Sequence, residues 1–317
     1  MAAGVVAVFG GSGFIGRYVV QRLAQQGWIV RAAVRRPEQA LFLKTMGTVG
    51  QVTPLAADIR SERSVAAAVD GADAVVNLVG ILYEKGGRSF KAIHADGAER
   101  VARLAKAAGV KAFVQMSSLG ASTDAAAEYA RSKAAGEAAV RAHYPDARII
   151  RPSIVFGPED GFFNKFATMA RFAPALPLIG GGRTKFQPVY VGDVAEAILR
   201  CVEDPHTAGK TYELGGPGVF SFAELLRRML REIGRRRLLL PLPFGIARLQ
   251  AMFLELLPVP PLTRDQIKLL QQDNVVSPGA LTLADLGIRA QGLDAILPSY
   301  LARYRPGGRL GRRARRV

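Results

Sequence analysis

A glycine-rich stretch near the start of the chain constrains the fold more than any other feature. Residues 8–20 read VFGGSGFIGRYVV, in which four glycines follow a run of valines and precede residues that favour a helix. The spacing Gly11-x-Gly13-x-x-Gly16 matches the pattern that binds the pyrophosphate of a dinucleotide, and Gly10-x-x-Gly13-x-x-Gly16 matches its close variant. These glycines allow a tight turn, a close approach of the backbone to phosphate, and close packing of helix on strand. The stretch therefore predicts a phosphate-binding loop rather than a bare flexible turn.

The rest of the first half continues this alternation of strand and helix. Short apolar runs occur at 5–9, 28–34, 51–57, 74–79, 112–117 and 147–151, and helical patterns lie between them at about 62–70, 90–108 and 127–143. Nearly continuous apolar strands separated by helices indicate a parallel sheet that is covered on both faces. With right-handed crossovers, the expected fold class is α/β, a doubly wound parallel sheet of the Rossmann type.

The composition changes after about residue 155, where glycine and proline become frequent. Helical patterns remain at 193–203, 221–233 and 263–272. We therefore predict three parts: a dinucleotide-binding Rossmann domain at 1–154, a smaller C-terminal α/β domain with returning segments at 155–304 that caps the sheet, and a basic Arg/Gly tail at 305–317.

The positive charge of the chain is concentrated in its C-terminal third. The net charge is +17; residues 303–317 hold seven arginines and no acid, and residues 227–237 hold six arginines and one glutamate. Such clusters attract the phosphates of an anionic membrane or the carboxylates of an acidic protein, although a tail that only aids solubility is the plainer alternative. Because no signature of a nucleic-acid-binding fold accompanies the charge, nucleic acid is not an expected partner.

The sequence shows no targeting or membrane-spanning segment. No signal peptide can be recognised before the first apolar run. No segment reaches the roughly 18–20 uninterrupted apolar residues of a membrane span. The single cysteine, Cys201, excludes an internal disulfide and fits a reducing compartment.

The residues after the second predicted strand favour a phosphorylated cofactor. The glycine pattern is usually followed, about 20 residues later, by an acid that binds the ribose 2′-hydroxyl. Here the segment AVRRPEQ places Arg35 and Arg36 at that position. A guanidinium can pair with a 2′-phosphate, and the second arginine can lie flat on the adenine. We therefore predict NADPH rather than NAD(H), the alternative being that both arginines face solvent.

Two further residues follow strands of the same sheet. Asp58, in LAADIRS, could accept a hydrogen bond from the adenine amino group, or it could be a loop acid that caps the next helix. Gly80, in NLVGIL, stands where the backbone would pass close to the cofactor, unless it is an ordinary turn glycine.

Tyr129 and Lys133 form a Tyr-x-x-x-Lys pair in YARSK, so they lie on one face of a predicted helix. A lysine ammonium beside a phenol favours the phenolate, which would lower the pKa of Tyr129. Tyr129 could then give or take a proton while Lys133 holds ribose hydroxyls. Ser118, in QMSSLGA, could bind a substrate carbonyl, although Ser117 and Ser118 could also be a helix cap or loop residues.

Taken together, GGSGFIG, Asp58, the Ser-Ser pair and YARSK resemble the extended and atypical short-chain dehydrogenase/reductases. The segment RPSIVFGPED resembles the part of that superfamily that lines the nicotinamide, and PVYVGDVAEAI resembles its signature in the substrate domain. The resemblance implies that Ser118, Tyr129 and Lys133 are the catalytic residues of an active member. The expected cofactor contacts are Gly10, Ser12, Gly13, Phe14, Ile15, Gly16, Arg35, Arg36, Asp58, Ile59, Val79, Gly80, Ser117, Tyr129, Lys133, Pro152, Ser153 and Ile154.

Longer stretches resemble a narrower family, the NADPH-binding accessory subunit of respiratory complex I in its bacterial form. They are RPSIVFGPEDGFFNKFA, PALPLIGGGRTKFQPVYVGDVAEAI, GKTYELGGPGVFSFAELL and PPLTRDQIKLLQQDNVV. The resemblance implies a subunit that holds NADPH without turnover and stabilises the junction of the hydrophilic and membrane arms. It further implies contacts with complex I subunits and, through the basic C-terminal part, with anionic lipid headgroups at the cytoplasmic face of a bacterial inner membrane.

The retained catalytic set keeps a second hypothesis open. Mitochondrial members of the family often lack part of this set, whereas this chain keeps Ser118, Tyr129 and Lys133. A free NADP-dependent reductase or epimerase is therefore the alternative function. Tyr and Lys could equally hold the nicotinamide ribose in a site without turnover.

Overall fold

The computed structural model describes residues 3–308, which contain strands, α-helices and short helical turns. The strands are β1 (Val5–Phe9), β2 (Ile29–Val34), β3 (Val52–Ala56), β4 (Ala74–Asn77), β5 (Ala112–Met116), β6 (Arg148–Pro152), β7 (Val155–Phe156), β8 (Ala175–Ile179), β9 (Lys185–Phe186), β10 (Val189–Tyr190), β11 (Thr211–Leu214), β12 (Phe220–Ser221) and β13 (Leu238–Leu242). The helices are α1 (Phe14–Gln25), α2 (Glu62–Val69), α3 (Asp96–Ala107), α4 (Glu128–His143), α5 (Phe163–Phe172), α6 (Val191–Glu203), α7 (Phe222–Glu232), α8 (Phe244–Leu254), α9 (Arg264–Leu269) and α10 (Leu293–Leu301).

Seven strands form one sheet in the order β11-β6-β5-β4-β1-β2-β3, and every neighbouring pair is parallel. All residues of β4 and β5 are buried, because a parallel sheet with helical crossovers is covered on both faces. The strand order reverses direction between β1 and β4, and ligands bind at the carboxyl ends of strands at such a switch point. The prediction of a doubly wound parallel sheet is confirmed.

The helices between these strands lie close to their predicted positions. The expected helix at about 62–70 is α2, and the one at about 127–143 is α4. The expected helix at about 90–108 begins with a π-helical turn at Lys91–Ala95 and continues as α3. Single π turns are uncommon and occur often at functional sites.

Contacts within the chain divide it into two compact units, each described here by itself. The first unit comprises the described residues of Met1–Pro152, Gly192–Leu214 and Pro278–Ile288, and the second those of Ser153–Val191, Gly215–Ser277 and Arg289–Val317. The sequence prediction divided the chain after residue 154 and assigned residues 192–214 and 278–288 to the smaller domain. In the structure these two segments return to the first unit, because β11 pairs with β6 and a backbone bridge joins Tyr212 to Leu281.

The second unit has an aromatic core in place of a large sheet. Its strands form three two-stranded pairs, β7 with β10, β8 with β13 and β9 with β12. Phe156, Phe163 and Phe222 are fully buried, and Phe162 contacts Phe163 edge-to-face at 5.0 Å between ring centroids. The core thus depends on edge-to-face ring packing, which adds to the stabilisation from burial alone.

Polar side chains fix the loops and helix starts of the second unit. The hydroxyl of Tyr300 donates to Oδ2 of Asp160 at 2.6 Å, and the backbone N–H of Phe162 donates to Oδ1 at 2.9 Å. Ser221 and Glu224 form a capping box at the start of α7. Such reciprocal bonds satisfy N–H groups that a helix start otherwise leaves unpaired.

Two sequence expectations concern the membrane and the C-terminus. Within residues 3–308, no helix combines the length and the apolar character needed to cross a membrane. Of the predicted basic tail at 305–317, residues 309–317 lie outside the described residues.

Candidate functional site

The glycine loop joins β1 to α1 and leaves no space for a side chain at Gly16. Gly10 has a φ of +80°, a left-handed conformation that glycine adopts without strain. A Cβ atom on Gly16 would lie 2.2 Å from the carbonyl oxygen of Gly10 and 2.8 Å from backbone atoms of Gly11. The helix and the loop therefore meet backbone to backbone, as the third glycine of the pattern requires.

The start of α1 has no side-chain cap. The helix begins at Phe14, and no side chain caps its first turn from the preceding residue, Gly13. The first N–H groups of a helix have no intrahelical partner, and the helix dipole favours negative charge at this end. Backbone and dipole together suit a pyrophosphate at this position.

A cavity of about 230 Å³ lies in front of the glycine loop. Eight of the predicted cofactor residues line it: Gly10, Ser12, Gly13, Arg35, Asp58, Ile59, Val79 and Gly80. The other ten predicted contacts, among them Phe14, Gly16, Arg36, Tyr129 and Lys133, do not line it, and the side chains of both Arg35 and Arg36 are exposed. Nine lining residues were not predicted from the sequence, and Arg60 and Arg88 are the charged ones among them. The fold thus brings predicted residues that follow four different strands together around one cavity.

Asp58 does not cap the helix that follows it. The N-cap of α2 is Ser61, whose side chain accepts from the N–H of Ser64. The Asp58 carboxylate instead pairs with Arg60, whose Nη2 lies 2.7 Å from Oδ2. Hydrogen bonding from Arg60 lowers the pKa of Asp58. The adenine contact of Asp58 remains a prediction, since a carboxylate accepts more bonds than this pair uses.

Lys133 is buried in α4, with 6% of its surface exposed. Its Nζ donates to the carbonyl oxygen of Met116 at 3.3 Å and lies 5.8 Å from the centre of the Tyr129 ring. Burial lowers the pKa of Lys133 to about 8, because the charged form has lost its hydration. An ammonium can donate three hydrogen bonds, so donors remain for the hydroxyls of a ribose.

The pKa of Tyr129 is shifted opposite to the sequence expectation. Removal of water from its hydroxyl raises the pKa of Tyr129, and a hydrogen bond with the Ser118 hydroxyl opposes this only in part. The expectation that Lys133 lowers this pKa was wrong, because desolvation disfavours the phenolate and the ammonium is itself partly discharged by burial. The raised pKa of Tyr129 favours its protonated form, which can donate a hydrogen bond or a proton.

The serines at the end of β5 lie where the motif predicts them. The Oγ atoms of Ser117 and Ser118 are buried; within the described residues that of Ser117 has no hydrogen-bond partner, whereas the Ser118 hydroxyl interacts with Tyr129. A buried hydroxyl without a partner is costly and uncommon in proteins. Ligand atoms at this strand end would remove that cost.

A buried histidine that the sequence analysis did not single out connects two parts of the site. The N–H of Ile81 donates to Nε2 of His94 at 3.0 Å, so the proton of the neutral ring is on Nδ1. Nδ1 lies 2.8 Å from the Ser132 hydroxyl, which donates to the carbonyl oxygen of Tyr129 at 2.7 Å. Burial lowers the pKa of His94 to about 2. In the sequence, His94 is visible only as a histidine within the predicted helix at about 90–108.

The last predicted contacts follow β6. Pro152 ends this strand in the first unit, and Ser153 and Ile154 begin the second unit. The N–H of Ile154 donates to Oδ1 of Asn274 at 3.1 Å, and the Ser153 hydroxyl lies 2.7 Å from the same oxygen. Within the second unit these residues hold the segment around Asn274. Their role as cofactor contacts remains a prediction.

The site fits a nicotinamide dinucleotide. Gly10 and Gly16 permit the tight loop and the close packing of α1 on it, Arg35 places a cation at the cavity, and Ser117 has a buried hydroxyl with no partner among the described residues. These are properties of the folded chain rather than of its sequence pattern.

Comparisons with known proteins agree with this geometry. Residues 6–215 match the NAD dependent epimerase/dehydratase family. The fold resembles DesIV, a dTDP-glucose 4,6-dehydratase from Streptomyces venezuelae solved with NAD and TYD bound, with a TM-score of 0.72 over 94% of this chain and 95% of that one, at 21% identity.

Two curated proteins are similar over most of the chain. The mitochondrial NADH dehydrogenase (ubiquinone) 1 alpha subcomplex subunit 9 of Arabidopsis thaliana is 41% identical over 96% of this chain and 79% of its own length. A ceramide reductase of Caulobacter vibrioides is 31% identical over 76% of this chain and 74% of its own length. The chain therefore belongs to the NAD dependent epimerase/dehydratase family and, within it, to the family of the complex I alpha subcomplex subunit 9 proteins.

Proposed function

We propose that this protein is an NADPH-binding accessory subunit of respiratory complex I, in which the cofactor is a structural part and is not turned over. One observation carries the proposal: the 41% identity to subunit 9 of the 1 alpha subcomplex extends over 96% of the chain and so includes the C-terminal third. A shared Rossmann fold alone would leave the function open. The partners are complex I subunits at the junction of the peripheral and membrane arms, at the cytoplasmic face of a bacterial inner membrane.

The residues of the first unit each have a task in holding the cofactor. The N–H groups at the start of α1 bind the pyrophosphate, and Arg35 binds the 2′-phosphate. Lys133 donates to the ribose hydroxyls beside the nicotinamide. Because the ligand binds only the folded chain, it stabilises that chain by mass action. When bound, the nicotinamide would supply a hydride, and the proposed role leaves that chemistry unused.

The second unit has a surface suited to a partner. Apolar side chains are exposed on α8 and around it, with Phe253 at 61%, Leu249 at 57% and Leu256 at 83%. An open groove of about 780 Å³ in the same unit is lined by six arginines and one glutamate. A unit that exposes both apolar side chains and arginines suits contact with anionic lipid headgroups. We infer that this unit contacts lipid headgroups as well as subunits.

Isolation of the native assembly tests the proposal. The tagged chain should be recovered from its host in mild detergent and low salt together with complex I subunits and about one NADPH per chain. That NADPH should remain reduced while NADH drives quinone reduction. Recovery of the chain alone, or oxidation of its NADPH during turnover, would contradict the proposed function.

Vesicle flotation tests the lipid contact separately. The chain should float with vesicles that contain phosphatidylglycerol and should stay in solution with phosphatidylcholine alone. Salt should weaken the binding, because screening shortens the reach of the arginine charges. Equal binding to both vesicle types would contradict a role for the basic groove.

The ceramide reductase relative favours a second candidate function, a reductase of a lipophilic carbonyl compound. Tyr129 would then donate a proton to the carbonyl oxygen, and Ser118 would hydrogen-bond to that oxygen. Its raised pKa keeps Tyr129 protonated and suited to this step.

The variant Tyr129→Phe separates the two functions. A reductase should lose about 100-fold or more of its rate, the usual contribution of a general acid. A structural subunit should still bind NADPH and support assembly of complex I at the level of the wild type. Loss of assembly with NADPH binding intact would count against the structural role.

A further inference from the structure

The cofactor cavity contains a guanidinium that was not predicted from the glycine pattern or from the residues after the second strand. Arg60 stands in the loop between β3 and α2, and its side chain lines the same cavity as Arg35. Its Nε lies 3.1 Å from Oδ1 of Asp58 and its Nη2 lies 2.7 Å from Oδ2. This two-point contact between a planar cation and a carboxylate fixes the orientation of the guanidinium.

The loop that carries Arg60 is itself held on both sides. The N–H of Asp58 donates to the Ser64 hydroxyl of α2 at 3.1 Å. Arg100 of α3 donates from Nη1 to the carbonyl oxygen of Ile59 at 2.8 Å. Asp58 and Arg60 therefore form a prearranged pair on a fixed loop, and a ligand would not have to order them.

Arg60 keeps hydrogen-bond donors for a ligand. A guanidinium has five N–H bonds. Asp58 uses the Nε hydrogen and one on Nη2, and Nη1 makes a long contact of 3.5 Å with the carbonyl oxygen of Gly87. Nη1 and Nη2 each retain a hydrogen, and 41% of the side chain is exposed. The remaining N–H groups of the Arg60 guanidinium can therefore donate to an anion.

The charges around the cavity point to the kind of anion. Arg35, Arg60 and Arg88 contribute three positive charges and Asp58 one negative charge, which leaves a net charge of +2. Neighbouring Arg60 and Arg35 both favour the ionised form of Asp58. A phosphate monoester carries about −1.5 to −2 at pH 7. The 2′-phosphate, by which NADPH differs from NADH, matches this excess.

We propose that Arg60, aligned by Asp58, is a second guanidinium that recognises the 2′-phosphate of NADPH, in addition to Arg35. The inference rests on the proposed binding of NADPH and names a residue that sets its selectivity. Asp58 is then a positioning residue that orients the cation.

Cofactor binding to purified chain tests this assignment, with the Arg60→Gln variant measured by calorimetry against NADPH and NADH. NADPH affinity should fall about 10- to 100-fold, the effect of losing a charge-assisted hydrogen bond. NADH affinity should change less than about threefold. Adenosine 2′,5′-bisphosphate and adenosine 5′-monophosphate should repeat this difference as half-site probes.

Arg63→Gln is the matched control, since Arg63 is an exposed arginine of α2 that does not line the cavity. It should change neither affinity. Arg60→Lys keeps the positive charge but loses the planar two-point hydrogen bonding of a guanidinium, so its NADPH affinity should lie between those of Arg60→Gln and the wild type. Thermal unfolding without ligand should be the same for all variants, which excludes misfolding as the cause.

Three results would overturn the assignment. Equal weakening of NADPH and NADH by Arg60→Gln would place the cation at the pyrophosphate instead. Unchanged NADPH affinity would make Arg60 a solvent-facing arginine. If the wild-type chain binds NADPH and NADH equally, both the assignment and the proposed NADPH function are overturned. This outcome differs from the first two because it is seen in the wild type, without any substitution.

Discussion

The two units of this protein differ in the polar side chains that one buries and the apolar side chains that the other exposes. In the first unit, Lys133 and His94 are at least 94% buried and make specific hydrogen bonds. In the second unit, Phe253 and Leu249 expose more than half of their surface, and six arginines line an open groove with one glutamate.

This difference suits the two units to different binding partners, a small ligand and a larger surface. The first unit buries polar side chains and has a small cavity lined by its strand ends and loops, which suits a ligand that replaces water inside the protein. The second unit exposes apolar side chains and has a groove with more arginines than acids, and exposed patches of this kind mark surfaces that meet another molecule. The cofactor and the assembly partner are therefore recognised by different units, and changes in one unit should affect different measurements from changes in the other.

A glycine-to-alanine pair gives the largest expected contrast between the units. Gly16→Ala in α1 should lower the free energy of unfolding by about 2–3 kcal/mol, as overpacking does, because the new Cβ would lie 2.2 Å from a carbonyl oxygen. Gly245→Ala in α8 meets nothing within 4 Å. It should leave stability unchanged or raise it by up to about 1 kcal/mol. Urea denaturation measures both, and equal effects would contradict the close contact in the glycine loop.

The buried lysine gives the next largest effect, and it depends on pH. The pKa of Lys133 is about 8 in the folded chain against 10.5 for an ordinary lysine. Between these values the unfolded chain still holds a proton that the folded chain has released, so this group makes stability rise with pH. From pH 8 to 10 the gain should be about 2 kcal/mol.

Lys133→Met removes this dependence and tests it in the chain without cofactor. The free energy of unfolding of the variant should rise less with pH than that of the wild type. Lys111→Met, at a lysine whose side chain is 80% exposed, should keep the wild-type slope. Identical slopes for wild type and Lys133→Met would mean that Lys133 is hydrated in the folded chain.

The smallest effect on stability is expected in the exposed surface of the second unit. Phe253→Ser should change the free energy of unfolding by less than about 0.5 kcal/mol, as is usual for exposed positions. It should nevertheless reduce flotation with anionic vesicles, because it removes apolar area from the proposed contact. A large loss of stability would show that the side chain packs inside the unit, and unchanged flotation would move the lipid contact elsewhere.

The parts of the fold that follow from local pattern could be predicted from the sequence. The strands and helices of the first unit lie within a few residues of the apolar and amphipathic runs, because periodicity reflects burial directly. The glycine loop was recognisable because Gly10 and Gly16 serve a backbone geometry that other residues do not fit. The family was recognisable from motifs spread over the whole chain.

Features that depend on contacts between distant segments could not be predicted in this way. The bond from Ile81 to His94 and the pairing of Arg60 with Asp58 leave no periodic signal. The raised pKa of Tyr129 depends on how completely water is removed around it, which a Tyr-x-x-x-Lys spacing does not reveal. The return of residues 278–288 to the first unit likewise depends on a backbone bridge.

The edge strand β11 has a consequence for the synthesis of the chain. A ribosome adds about 5–20 residues per second, and residues 153–191 emerge before the strand that pairs with β6. Until Thr211–Leu214 appear, one edge of the sheet presents open N–H and C=O groups that could pair with another chain. A truncated product that ends before residue 211 would keep that edge permanently, so incomplete chains should be the aggregating species in the cell.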